Sequence, residues 1–299
     1  MLNKILPRLS NIDHIPSHPL IKKQIKELIN YVGKKDPGFI ENLSDTIIFD
    51  PSLTIEFLKI ANSDSFSFKN KIASLDNALL VLDNDLIELI ITQHPVLPEL
   101  EEYDKFVKYE FVMLVKHSIE VRIIMDNILK GPLGRNTKIK IIKNELLTAA
   151  ILHEIGLFFY LIYFPEDYYK IKNKIGMENI ITGKTIMFPD HSLLGSILCR
   201  SWNLPDGISS SIAFHHFPWS CVDQYKTISE LLFLADNISS SYYEIYYPED
   251  DIFSIEEHII MKKNLMKIID KLNMSMIDIA NLRMVSGEET LRLFSLWNI

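Results

Sequence analysis

Cysteine is scarce: Cys199 and Cys221 are the only two in 299 residues. Two cysteines build no disulfide framework, so a reducing cytoplasm is the expected compartment. Glycine is also thin, at 10 residues, and strict apolar–polar alternation is rare, so little β-sheet is expected. Excess positive charge is missing too. The formal net charge is −8, which argues against a nucleic-acid binder that works by neutralising phosphates. Met1 to Ile15 has no apolar core and no small-residue cleavage site, so it does not read as a signal peptide. Repeats, low-complexity tracts and heptad runs of coiled-coil length are absent from the sequence.

What is present is a 47% hydrophobic chain that can bury one large core or two smaller ones. The patterns are helical. Pro19 to Val32 reads as an amphipathic helix with Ile21, Ile25 and Ile29 on one face and Lys22, Lys23 and Lys26 mostly outside it. A second helix runs from Gly38 to about Ile48. Asp50-Pro51 is a sharp helix start, with Asp as N-cap and Pro at the first helical position. Asn62 to Ser65 breaks that helix, and Ser74 starts another. His94 to Asp104 holds two prolines and four acids and is expected to join two helical subdomains, 1–104 and 105–299. Tyr103 to Lys130 is a long helical stretch. Lys138, Lys140 and Lys143 read as a solvated loop edge. Helices are expected to open at Pro165, Pro189-Asp190 and Leu204-Pro205-Asp206, and Ile228 to about Tyr243 is helical. Ser254…Glu257 and Ser275…Asp278 have capping-box spacing before two tail helices.

The longest apolar run, Leu146 to Phe164, is near the length of a membrane span. The His153-Glu154 pair at its centre would be costly in lipid, so the run reads as a core helix with no membrane span. Leu146, Ala149, Ala150, His153, Gly156, Leu157 and Tyr160 recur at helical spacing, which puts His153 on the buried stripe. Ala149, Ala150 and Gly156 are small enough for a neighbouring helix to come close. A buried His beside a carboxylate needs partners.

Other polar residues look misplaced in a helical core: His117, His191, His215, His216 and Asp236. Imidazole and carboxylate are ligand types that suit divalent iron, manganese or zinc. Taken singly, His117 reads as a hydrogen-bonded core residue. The His215-His216 pair could sit in a loop before Pro218, and Asp236 could face solvent, although the apolar run Leu231 to Ala235 places it inside. Cys199 and Cys221 read as inert, because nothing near them resembles a redox pair.

The order His…His-Glu…His…His-His…Asp on successive helices resembles the HD superfamily of metal-dependent phosphohydrolases. The first half narrows the likeness. Asp50-Pro51-Ser52-Leu53-Thr54, Ala61-Asn62-Ser63 and Ile72-Ala73-Ser74-Leu75 resemble the HDOD signature. His153 to Gly156, Phe164 to Tyr168, Asp190-His191, Trp202 to Pro205 and His215-His216 are similar to its second half. The resemblance covers about residues 5 to 240. It implies an all-α, HD-like helical bundle with an N-terminal helical subdomain and a bacterial signalling role. It also implies a divalent metal site at His117, His153, Glu154, His191, His215, His216 and Asp236.

Two departures weigh against hydrolysis. Glu154 stands where HD enzymes have Asp, which moves the carboxylate by roughly 1.5 Å against tolerances of about 0.5 Å. Leu157 stands where phosphodiesterases of cyclic dinucleotides have Lys. Arg122 and Arg200 are the arginines nearest the motifs in sequence. Three readings follow: a regulatory module acting through a signalling protein partner or a small nucleotide ligand, a metal-dependent phosphohydrolase, and a structural scaffold with an empty site. No receiver, kinase or cyclic-dinucleotide synthase pattern occurs, so the input is expected from a separate chain. The N-terminal half offers only a scattered Asp or His as ligand.

Overall fold

A computed structural model describes residues 14–17, 19–32, 39–66, 68–96, 105–131, 133, 136–172, 191–239 and 255–297. The fold is all-α. Among the described residues there is no strand, only an isolated parallel bridge between Ser17 and Val96. In chain order the helices are α1 Pro19–Val32, α2 Phe39–Ile47, α3 Pro51–Ala61, α4 Leu75–Val81, α5 Asn84–Gln93, α6 Lys105–Lys130, α7 Thr137–Ile141 and α8 Lys143–Leu152. They continue as α9 Ile155–Tyr163, α10 Pro165–Lys172, α11 His191–Ser201, α12 Asp206–Ala213, α13 Asp223–Ile238, α14 Ile255–Lys271 and α15 Met276–Trp297. The expected starts at Ser254 and Pro189-Asp190, the N-terminal segment to Asp13 and most of the 94–104 junction lie outside the described residues.

Capping chemistry fixes the first half. The Asp50 carboxylate accepts the backbone N–H groups of Ser52 and Leu53, each at 3.0 Å, which satisfies two donors the first turn leaves open. The Ser74 and Asp83 side chains cap α4 and α5. Asn62 ends α3 and then clamps the following loop: its Nδ2 donates to the Ile72 carbonyl at 2.9 Å, and its Oδ1 accepts the Ile72 N–H at 2.7 Å. The Ser275–Asp278 box forms as its spacing predicts, with each residue bonding the other's backbone N–H.

Lys22 departs from its expected exposure. It is buried, and its ammonium donates to the carbonyl of His94 at the end of α5. A cation there meets the carbonyls a helix C-terminus leaves unpaired. The segment around Lys138 and Lys140 is a short helix, α7, with both lysines exposed.

The two sequence signatures meet in space. The Asn203 side chain donates to the Asn62 carbonyl at 2.8 Å, the Thr148 hydroxyl donates to the Ala73 carbonyl at 2.7 Å, and Lys71 donates to the Leu204 carbonyl at 3.0 Å. Asn203 takes a φ of 58°, a backbone state Asn tolerates better than most residues. One continuous apolar core runs through both halves. Among the described residues one stretch, Lys143–Tyr163, could cross a membrane by length and composition, yet 83% of its most apolar window is buried inside the fold.

Candidate metal centre

That stretch is not one helix. The apolar pattern reads through it, but α8 stops at Leu152 and α9 begins at Ile155, with His153 and Glu154 forming the turn between them. In an unbroken helix adjacent residues point about 100° apart. The turn lets both side chains face the same interior.

The other ligand candidates arrive from four further elements. His117 lies mid-way along α6, His191 opens α11, His215 and His216 follow the end of α12, and Asp236 sits near the end of α13. All seven are buried. Their donor atoms form two groups, His117–His153–Asp236 and Glu154–His191–His215–His216. Glu154 falls in the second group, although its chain neighbour His153 falls in the first. Its carboxylate still reaches both. Oε1 lies 3.5 Å from His153 Nε2, 3.8 Å from His215 Nε2 and 4.0 Å from His117 Nε2. Oε2 lies 3.4 Å from His191 Nε2. In the first group, Asp236 Oδ1 is 3.0 Å from His117 Nε2 and 3.6 Å from His153 Nε2.

Backbone packing sets these positions. A Cβ on Gly156 would stand 2.0 Å from the His191 carbonyl oxygen and 2.9 Å from the Gly195 nitrogen, so only glycine lets α9 and α11 cross where they do. The expected close approach is made at Gly156, and it fixes the backbone that carries His191.

The hydrogen bonds on the far side of each ring decide what faces inward. His153 Nδ1 donates to the Ala150 carbonyl at 2.9 Å, and His215 Nδ1 donates to the Ile212 carbonyl at 2.7 Å. Ser239 donates its hydroxyl proton to Glu120 Oε2 at 2.6 Å, so its oxygen accepts from His117 Nδ1 at 3.2 Å. Each Nδ1 is thus the proton-bearing nitrogen, and each Nε2 is turned to the cluster. This is how metal-binding histidines are oriented by their outer partners. Sequence reasoning missed Glu120 and Ser239, although each follows a candidate ligand by three residues on the same helical face or its continuation.

Electrostatics point the same way. Burial pushes the His153 ring below its ordinary pKa, with Asp236 only partly opposing. Burial, then the nearby rings of His216, His153 and His191, push His215 well below. Both are neutral at physiological pH with their Nε2 lone pairs available. Burial alone would raise Asp236, but the adjoining His117 and His153 rings favour its charged form and hold it well below the usual carboxylate value.

His153 Nε2 then meets His117 Nε2 at 3.1 Å, and His191 Nε2 stands 3.0 Å from His216 Nε2 and 3.4 Å from His215 Nε2. Nitrogens this close repel unless positive charge lies between them. A proton can bridge one such pair, and a divalent ion can serve several at once. The donor set therefore fits an ion of the iron, manganese or zinc class.

Leu157 is fully buried in the apolar core. Arg122 lines a separate cleft with Asp45, Asp126, Lys130 and Glu289, and Arg200 is exposed. Cys199 and Cys221 are free thiols, with Cys199 pushed up to about 12 by burial.

The model of the HDOD domain family matches residues 16–218. The chain belongs to the HDOD family. Solved structures share its fold at low identity. The MmoQ response regulator of Methylococcus capsulatus is 18% identical with a TM-score of 0.61, over 91% of this chain and 98% of that one. A virulence factor of Campylobacter jejuni is 16% identical with a TM-score of 0.61, over 96% of this chain and 99% of that one. No curated protein matches the chain. Within the HDOD frame, the His, Glu and Asp clusters of the second half of the fold are groups that could hold a metal ion.

Proposed function

We propose that this HDOD chain is a bacterial cytoplasmic signalling regulator whose HD-type cluster holds divalent metal without appreciable turnover. The observation that carries this reading is the imbalance around the cluster. Seven donors are kept, and the rings of His117, His153 and His215 are held by outer partners. The surroundings that act on a phosphate are altered, with Glu154 one methylene longer than the HD carboxylate and Leu157 apolar. His117, His153 and Asp236 would hold one ion and Glu154, His191, His215 and His216 a second. Bound there, the metal supplies positive charge that polarises an anionic group. The chain's own residues keep the Nε2 lone pairs aimed inward and exclude bulk water.

Output through a protein partner has its own support. Ile277, Met284 and Leu291 are all exposed on α15 and recur every seven residues, which lines them along one side of the helix. Such an apolar stripe supports a surface on which a partner could dock. The second reading is a phosphohydrolase of a nucleotide or cyclic dinucleotide, favoured by the reach of Glu154 across both donor groups. Steady-state assays with manganese, iron or zinc supplied separate the two. The regulatory reading expects no appreciable hydrolysis, whereas turnover near the enzyme median of about 10 per second would favour the hydrolase.

A further inference from the structure

The N-terminal half holds more than a scattered Asp or His. The fold brings together His14, Glu56 and His94, whose donor atoms all lie within 4.8 Å of one another. His14 precedes α1, Glu56 is on α3, and His94 follows α5. They are 38 to 80 residues apart in sequence, so no motif joins them. Pairing of the segments beside His14 and His94 does: Ser17 N–H donates to the Pro95 carbonyl at 2.9 Å, and the bridge from Ser17 to Val96 aligns the two segments.

We infer that His14, Glu56 and His94 form a second divalent-metal site of the zinc class, apart from the HD cluster. The main argument is His94. It is 4% exposed, and neither ring nitrogen makes a hydrogen bond of ordinary geometry, although the Ile15 backbone lies close enough to favour the charged ring. A buried imidazole with both nitrogens unpaired carries a desolvation cost that coordination would remove.

The other two members fit. His14 Nδ1 lies 3.2 Å from Glu56 Oε2, close to the roughly 3.3 Å that separates ligand atoms on a tetrahedral zinc with bonds near 2.0 Å. The His14 and His94 rings stand edge to face, 6.0 Å between centres. With all donor atoms within 4.8 Å of one another, closing to tetrahedral spacing takes at most about 1.5 Å of movement, and His14, with its side chain 44% exposed, has room for it and gives the ion a way in. Two imidazoles and one carboxylate are a donor set zinc accepts with its fourth position left for water or another ligand. The local competitor is Lys59, whose ammonium is 3.5 Å from Glu56 Oε2. The site also touches the second half of the fold. The Tyr163 hydroxyl donates to the His14 carbonyl, and Tyr163 ends α9, the helix that begins next to Glu154.

The test is calorimetric titration of the chelator-stripped full chain with zinc chloride. Wild type should bind one more zinc than His14→Ala, or bind that one at least about 100-fold more tightly, since even the loss of an outer-sphere partner weakens metal binding by about 10–100-fold. Lys59→Met should tighten the same site and leave the others alone. If circular dichroism shows that His14→Ala does not fold, His14→Gln takes its place in the comparison. An empty HD cluster would lower the zinc count of wild type and variant equally, leaving the difference between them intact. Identical stoichiometry and affinity in wild type and the His14 variant would overturn the site, and so would a Lys59→Met chain that binds no more tightly than wild type.

Discussion

Gly156 and the carbonyl of His191 are so close that a single added carbon would stand 2.0 Å from the oxygen. The crossing of α9 and α11 is therefore tied to one hydrogen atom in place of a side chain. Gly156→Ala must push α11 away and carry His191 with it. Overpacking of this kind costs about 1–3 kcal/mol, and the backbone partner places the effect at the upper end. Urea unfolding should show the loss, together with weaker metal uptake. A variant as stable as wild type would mean that the helices do not cross as described.

Removing metal should lower the melting temperature, because an ion bound only by the folded state stabilises it by mass action. Metal at 100 times its Kd contributes about 2.7 kcal/mol. At about 2–4 °C per kcal/mol for a chain of this size class, a strong chelator should lower the midpoint by roughly 5–10 °C. Scanning calorimetry with and without chelator measures it, and coincident traces would speak for a cluster that holds no ion.

Stability of the chelator-treated chain should fall as pH drops below about 6.5. The sign follows from the buried histidines. His153, His215 and His94 all have lowered pKa values in the fold, while the unfolded chain titrates near 6.5. Above that pH neither state binds the proton, and their full contribution is present. Below it the unfolded state takes up protons first, and folding weakens toward the folded values. Asp50 opposes part of this. Burial raises it to about 6, so it favours the fold increasingly as pH falls from 6 toward 4. Three histidines outweigh one carboxyl, so urea midpoints should be lower at pH 5.5 than at pH 7.5. A flat or rising midpoint on acidification would contradict the buried, neutral rings.

Glu154→Asp tests whether the longer side chain is what sets this site apart from the HD hydrolases. The shorter side chain withdraws the carboxylate by roughly 1.5 Å, toward the position HD enzymes use. If the extra methylene impairs chemistry, phosphodiesterase activity with manganese supplied should rise above the wild-type background. An inactive Glu154→Asp chain with wild-type metal content would shift the cause to the buried Leu157.

Much of the fold was legible because its signals are local. Pro19–Val32 has the predicted bounds, and the Asp50, Ser74 and Ser275 caps are bonds within three residues. The seven cluster residues could be chosen because they are polar residues on apolar helical faces in an ordered series. The break at His153-Glu154 was not legible, since it uses neither Gly nor Pro and the apolar spacing carries across it. The burial of Lys22 depends on the end of α5 seventy residues away. The His14–Glu56–His94 cluster depends on pairing between residues 17 and 96, which leaves no mark in any local window.

The account rests on the HD cluster holding metal, and elemental analysis of purified wild type beside His153→Ala tests that most directly. Any ion at His14 would count equally in both, so the difference belongs to the cluster. The account predicts one to two more equivalents of iron, manganese or zinc in wild type than in His153→Ala. Equal metal in the two chains would contradict it.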